Sequence, residues 1–133
     1  MKILFVNTFY YPNMEGGTEQ VSKNLAEGML KNGHQVAVYS VDAKDNNETI
    51  EEINGVTLYR RTTGAFNLYR FSHEKDKVGK IEKVLQKCMV YYNRKPIKDF
   101  KEICLDFKPD IIPIAIREIS AAGLPIRIVP RNV

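Results

Sequence analysis

The sequence predicts an α/β domain with a largely parallel sheet flanked by helices. Three observations carry that prediction. Lys2 to Thr8, "KILFVNT", is a nearly continuous apolar run, as a strand covered on both faces requires. Thr18 to Lys31 repeats Val21, Leu25 and Met29, with Ala26 and Leu30 beside them, on one face of a 3.6-residue period. Gln35 to Val41, "QVAVYSV", then resumes strand character. Strand, helix and strand in that order make a βαβ unit.

Each boundary has a local reason. Gly33 follows "LKN", where a helix wants a left-handed residue at its end. Asp42 to Glu52 is acidic and polar and reads as a loop. "GVTLYRR", Gly55 to Arg61, alternates like a strand near a sheet edge. Residues 62–77 mix turn residues and aromatics without a period and read as loop or short helix. Two helices follow, the second opening at Pro96 and carrying Ile97, Phe100, Ile103, Cys104 and Phe107 on one side. The breaker "KPD" announces a strand from about Ile111, and Leu124 to Val129 reads as a last strand.

Length and composition bound the function. At 133 residues, 44% hydrophobic and 27% charged, the chain suits one soluble globular domain with a real core. The apolar N-terminus runs directly into a polar loop with no small-residue cleavage site, so it reads as a strand and not a signal peptide. No apolar run approaches the roughly twenty residues of a membrane span. Cys88 and Cys104 fall on apolar helical stripes, as small buried thiols do, and a reducing cytoplasm fits them.

The net charge of +4 is unevenly spread, with Lys75, Lys77, Lys80, Lys83 and Lys87 close together. On a helix they avoid the stripe of Val78, Ile81, Val84, Leu85, Cys88 and Met89. Two readings stand: a solvated face opposite a buried one, or a basic patch for peripheral contact with an anionic membrane surface or for a polyanionic ligand. Nucleic acid is not expected, since the usual recognition signatures are absent.

Between the first strand and its helix stands "FYYPNMEGGTEQ", with Gly16 and Gly17 at the handover. Glycines there let a ligand approach the helix N-terminus, where unpaired N–H groups and the positive end of the dipole favour an anion. Glu19 is a candidate contact beside them, and equally a helix-start residue favoured by the dipole.

Pro12, Gly16, Gly17 and Glu19, followed by Leu25, Ala26, Leu30, the pair Gly33-His34 and Val36, resemble the opening of the family 4 retaining glycosyltransferases. "FKPDII" from Phe107 and "GLPIRIV" from Gly123 resemble that family's next landmarks. The resemblance spans most of the chain and is loose between Asp42 and Asn93. It implies the Rossmann-like, acceptor-side half of a two-domain GT-B enzyme that moves a hexose from a nucleotide-sugar to a sugar or lipid-linked acceptor hydroxyl. The nucleotide-sugar is a co-substrate, and no cofactor or metal is implied. Residues 1–133 are read as that single N-terminal domain, with the donor-binding domain absent from this chain and the chain inactive alone. In the family the glycine loop reaches the donor diphosphate or the transferring sugar, which makes Gly16, Gly17 and Glu19 the donor-binding candidates.

The chain departs from the pattern at two places. Pro113 stands where the family carries a histidine, and Arg131 stands near where a second histidine ends the last strand. Arg131 is a candidate cleft residue because it follows a predicted strand's carboxyl end. The histidines present are His34, in the "GH" turn, read as structural, and His73, read as exposed. The crossover "AIREISAAGLP" is about the minimum length for a helix between parallel strands. An NAD-dependent dehydrogenase is disfavoured, because G-x-G-x-x-G is missing and the first loop is too long. A non-catalytic α/β binding module or partner subunit is the alternative, since it needs no catalytic histidine.

Overall fold

A computed structural model of the chain describes residues 1–14, 16–64, 79–82, 84–85 and 94–115. The elements are β1 (Lys2–Asn7), α1 (Gly17–Lys31), β2 (Gln35–Ser40), a 3₁₀ turn at Lys44–Asn46, β3 (Thr49–Ile53), β4 (Val56–Arg60), α2 (Lys95–Phe107) and β5 (Ile114–Ala115). The strands form one sheet in the order β3-β4-β2-β1-β5. All neighbours pair in parallel except β3 with β4, so the α/β class and the parallel β1-α1-β2 unit stand as expected.

Alternation along each strand divides the core into two layers. Ile3, Phe5, Val36, Val38, Val56 and Leu58 pack with Ala26 under α1. Leu4, Val6, Ala37, Tyr39 and Tyr59 pack with Phe100 and Ile103 of α2. Leu4 and Leu58 are completely buried, and each such side chain stabilises the fold by about 1.5–3 kcal/mol. Cys104 of α2 is partly buried against this second layer, and burial pushes its thiol up.

α1 ends as the sequence requires. Gly33 takes a φ of 84°, donating its N–H to Leu30 O, while the His34 N–H reaches Met29 O. These two bonds are a Schellman closure, and they bring the chain back to start β2 beside β1. The C-terminal end of α1 therefore lies at the amino edge of the sheet, and its N-terminal end at the carboxyl edge. His34 sits at the amino edge, where Nδ1 lies 3.5 Å from the Met1 amino group.

Several expectations need correction. The segment from Asp42 to Glu52 is not all loop, because Thr49–Ile53 forms β3 in a hairpin with β4. β4 lies near the sheet edge as expected, with β3 as the edge strand beside it. The buried stripe of α1 is also rotated from the expected one: Glu19, Ser22 and Ala26 face the sheet, while Val21 and Leu25 are about half exposed. Residues 80–82 and 84–85 are helical as expected, yet Ile81, Val84 and Leu85 are exposed and not a buried stripe. Their interval of three and four residues puts them on one face. Among the described residues no helix is long and apolar enough to cross a membrane. Cys88, His73, Arg131, the strand expected at Leu124 to Val129 and the short crossover before it lie outside the described residues, as do most of the clustered lysines.

Candidate functional site

The carboxyl edge of the sheet is where an open α/β fold binds ligands. β1 arrives there with Asn7, β2 with Ser40 and β4 with Arg60, and residues 8–14 and 16 lie over that edge before α1. Gly16 is the N-cap of α1 in extended backbone (φ −161°), with no side-chain cap, and Gly17 is the first helical residue. Neither conformation demands glycine. A β-carbon on Gly17 would meet nothing within 4 Å, so the space in front of the first turn is open. Gly16, Gly17 and Thr18 are exposed, whereas Glu19 turns under the helix and is 5% exposed. The exposed side of this turn therefore presents N–H groups, and its carboxylate lies beneath.

A buried ionic network holds the loop that delivers this turn. Asp42 accepts from Ser40 Oγ at 2.6 Å, Arg60 Nη1 at 2.6 Å and the Tyr10 N–H at 3.1 Å. Arg60 Nη2 donates to Tyr11 O at 2.9 Å, and Asn13 Nδ2 donates to Asp42 O at 3.4 Å. Residues 10, 11 and 13 are thus anchored to the ends of β2 and β4. Burial raises the Asp42 carboxyl above its ordinary value, while Arg60 and the hydrogen bonds from Ser40 and Tyr10 pull it back. Burial likewise pushes the Tyr10 hydroxyl up to about 12, so it stays protonated near neutral pH.

At the same edge, four buried polar atoms have no hydrogen-bond partner among the described residues: Asn7 Nδ2 and Oδ1, Thr8 Oγ1 and Glu19 Oε2. Asn7 is 3% and Thr8 7% exposed. Each unmade bond costs about 1–3 kcal/mol, which a protein tolerates where the group serves something other than the fold. Sequence reasoning singled out Gly16, Gly17 and Glu19, which lie at this edge, and did not single out Asn7, Thr8, Asp42 or Arg60. An Asn-Thr pair closing an apolar strand reads as an ordinary strand exit. Asp42 and Arg60 have no local signature, being 18 residues apart and joined only by the β2–β4 pairing.

Two grooves are lined by described residues. One of about 210 Å³ lies at the carboxyl edge between Pro12, Asn13, Lys44, Thr49, Glu51 and Arg60. A larger one, about 520 Å³, lies at the amino edge beside Met1, Lys2, Gly33 and Asp110. There Asp110 is committed to β1, its carboxylate accepting from the Lys2 N–H at 2.7 Å and its own N–H reaching Lys2 O at 2.8 Å. The carboxyl edge, with its unpaired buried groups and helix N-terminus, is the better site despite the smaller groove. Pro113 accepts the Val6 N–H through its carbonyl and leads into β5 at this edge. Among the described residues, no group of three or more His, Cys, Asp or Glu side chains forms a metal cage.

The chain is 35% identical over 112 residues, 84% of its length, to a protein of Klebsiella pneumoniae named "Uncharacterized 42.6 kDa protein in cps region". It is 47% identical over 60 residues, 45% of its length, to "Uncharacterized glycosyltransferase MJ1607" of Methanocaldococcus jannaschii. This chain is thus similar to a glycosyltransferase over part of its length. The matched regions make up 29% and 15% of those two proteins, so the chain spans less than a third of the relatives it matches. No family model and no solved structure matches it.

Proposed function

We propose that the chain is the acceptor-side half of a family 4, GT-B retaining glycosyltransferase that transfers a hexose from a nucleotide-sugar to an acceptor hydroxyl. The observation that carries the reading is the side-chain-free turn of Gly16 and Gly17, which opens a 15-residue helix at the carboxyl edge of a parallel sheet. Similarity to a glycosyltransferase supports it. As the sugar leaves, negative charge builds on the departing diphosphate. The N–H groups of the first turn of α1 are already oriented, so they stabilise that charge without reorganising. Gly16 and Gly17 keep side chains out of the approach, and the Asp42–Arg60 network fixes the loop before them. A second Rossmann-like half supplies the opposite wall and most of the nucleotide contacts.

The acceptor in this reading is a sugar or lipid-linked hydroxyl. Exposed Ile81, Val84 and Leu85 share one helical face in a lysine-rich stretch, which supports peripheral contact with an anionic membrane. The reaction takes place at the cytoplasmic side, as the free thiol and the reducing compartment it suits suggest.

A transfer assay tests the reading. The 133-residue chain alone should transfer no labelled hexose and bind nucleotide-sugars weakly, and joining it to a donor-binding half should restore transfer. Tight binding by the chain alone would refute the half-site arrangement.

A further inference from the structure

Asn7 continues Ile3 and Phe5 on the face that α1 covers, and it stands in register beside Ser40 of β2 and Ala115 of β5. Over that face α1 turns Glu19 and Ser22 inward. Because α1 starts at the carboxyl edge, its first turn and the last residue of β1 share one polar layer. Ser40 spends its hydroxyl on Asp42 at 2.6 Å, leaving Asn7 without it. Both polar atoms of the Asn7 amide and one oxygen of Glu19 are left unpaired, although the two residues are 3% and 5% exposed.

The unpaired set is two amide N–H donors, one amide oxygen and one carboxylate oxygen. A phosphate would satisfy only the N–H donors and would meet the carboxylate as a like charge. An apolar group would leave all of them unmet. Hydroxyl groups both donate and accept, so neighbouring hydroxyls complement all of them: they accept from Nδ2 and donate to Oδ1 and to Glu19 Oε2. We infer that Asn7 and Glu19 form a hydroxyl-reading subsite beneath the first turn of α1, which takes the polyhydroxylated ring of the ligand. The anionic part of the same ligand stays on the exposed N–H side of the turn. This inference rests on the nucleotide-sugar reading and adds to it the residues that recognise the sugar. It also separates the roles of the motif, with Gly16 and Gly17 admitting the anion and Glu19 turned away from it.

The test follows the Asn7 side-chain amide and the Gly17 backbone amide by NMR in the 133-residue chain. The probes are UDP, UDP-glucose, UDP-galactose, UDP-N-acetylglucosamine and GDP-mannose. UDP should move Gly17 and leave the Asn7 side chain in place, whereas at least one nucleotide-sugar should move both. Asn7→Ala should weaken that nucleotide-sugar about 10-fold, the loss of one or two neutral hydrogen bonds, and leave UDP binding unchanged. A nucleotide-sugar that moves Gly17 but never Asn7 would overturn the subsite while the nucleotide-sugar reading survived. Silence at both residues with every probe would overturn the reading and the subsite together. The wild-type resonances decide the matter even if Asn7→Ala folds poorly.

Discussion

Arg60 Nη1 lies 2.6 Å from Asp42 Oδ2, with the Arg60 side chain 6% exposed and that of Asp42 fully buried. This pair joins the ends of β4 and β2 and, through Tyr10 and Tyr11, sets the path of the loop leading to Gly16. Removing the cation leaves a buried carboxylate with too few donors. Arg60→Leu should therefore cost about 3–5 kcal/mol of stability at neutral pH, and Asp42→Asn in the same chain should recover part of it.

The pH dependence of that variant has a definite sign. Burial already holds Asp42 above its ordinary value of 3.8, and loss of Arg60 removes an opposing effect and moves it further up. Between the unfolded and the raised folded values, the folded chain binds more protons than the unfolded chain. Stability from this group is thus complete below the unfolded value and is lost as pH rises through the folded one. Urea melts should show a larger deficit of Arg60→Leu relative to wild type at pH 7 than at pH 4. An equal deficit at both would mean Asp42 is not the group left unpaired.

Glu48 behaves in the opposite sense. Burial works to raise its pKa, but hydrogen bonds from Lys95 and Thr62 outweigh it and hold the carboxyl below 4.5. The group ties the segment before β3 to Thr62, beyond β4, and to Lys95, at the start of α2. Its contribution is present above the unfolded value and disappears as pH falls through the lower folded value. Glu48→Gln should flatten the melting temperature between pH 5 and pH 3 relative to wild type, a comparison that thermal melts read directly.

Exposed Ile81, Val84 and Leu85 lead to a fourth expectation. The chain should sediment with vesicles containing about 30% anionic lipid and remain in the supernatant with neutral vesicles, since clustered lysines add to apolar insertion. Ile81→Ser with Val84→Ser should abolish sedimentation without lowering the melting temperature, because neither side chain packs in the core. Unchanged sedimentation would assign that face to another role.

The sequence carried the β1-α1-β2 unit plainly, because apolar runs and the Gly33 turn act locally. β3 escaped because "TIEEI" holds two glutamates, and its alternating burial suits a strand with one solvated face. The stripe on α1 was misplaced for a physical reason tied to the site: Glu19 and Ser22 are buried where Val21 and Leu25 have better hydropathy. Local pattern rules assume polar residues face water, and at the carboxyl edge they do not. Glycine at positions 16 and 17 was legible as a turn, whereas Asn7 became visible only once its missing partners were placed in three dimensions.

The central claim is that Gly17 is glycine for the ligand and not for the fold. The direct measurement, on the proposed function, is Gly17→Val in this chain joined to a donor-binding half, with turnover on a nucleotide-sugar recorded beside the melting temperature. A β-carbon there meets open space and Gly17 needs no left-handed backbone, so stability should change by no more than about 0.5 kcal/mol. Turnover should fall about 100-fold, the scale of losing prearranged donors to the leaving group. Undiminished turnover with an intact fold would contradict the claim and make the glycine pair a feature of the turn alone.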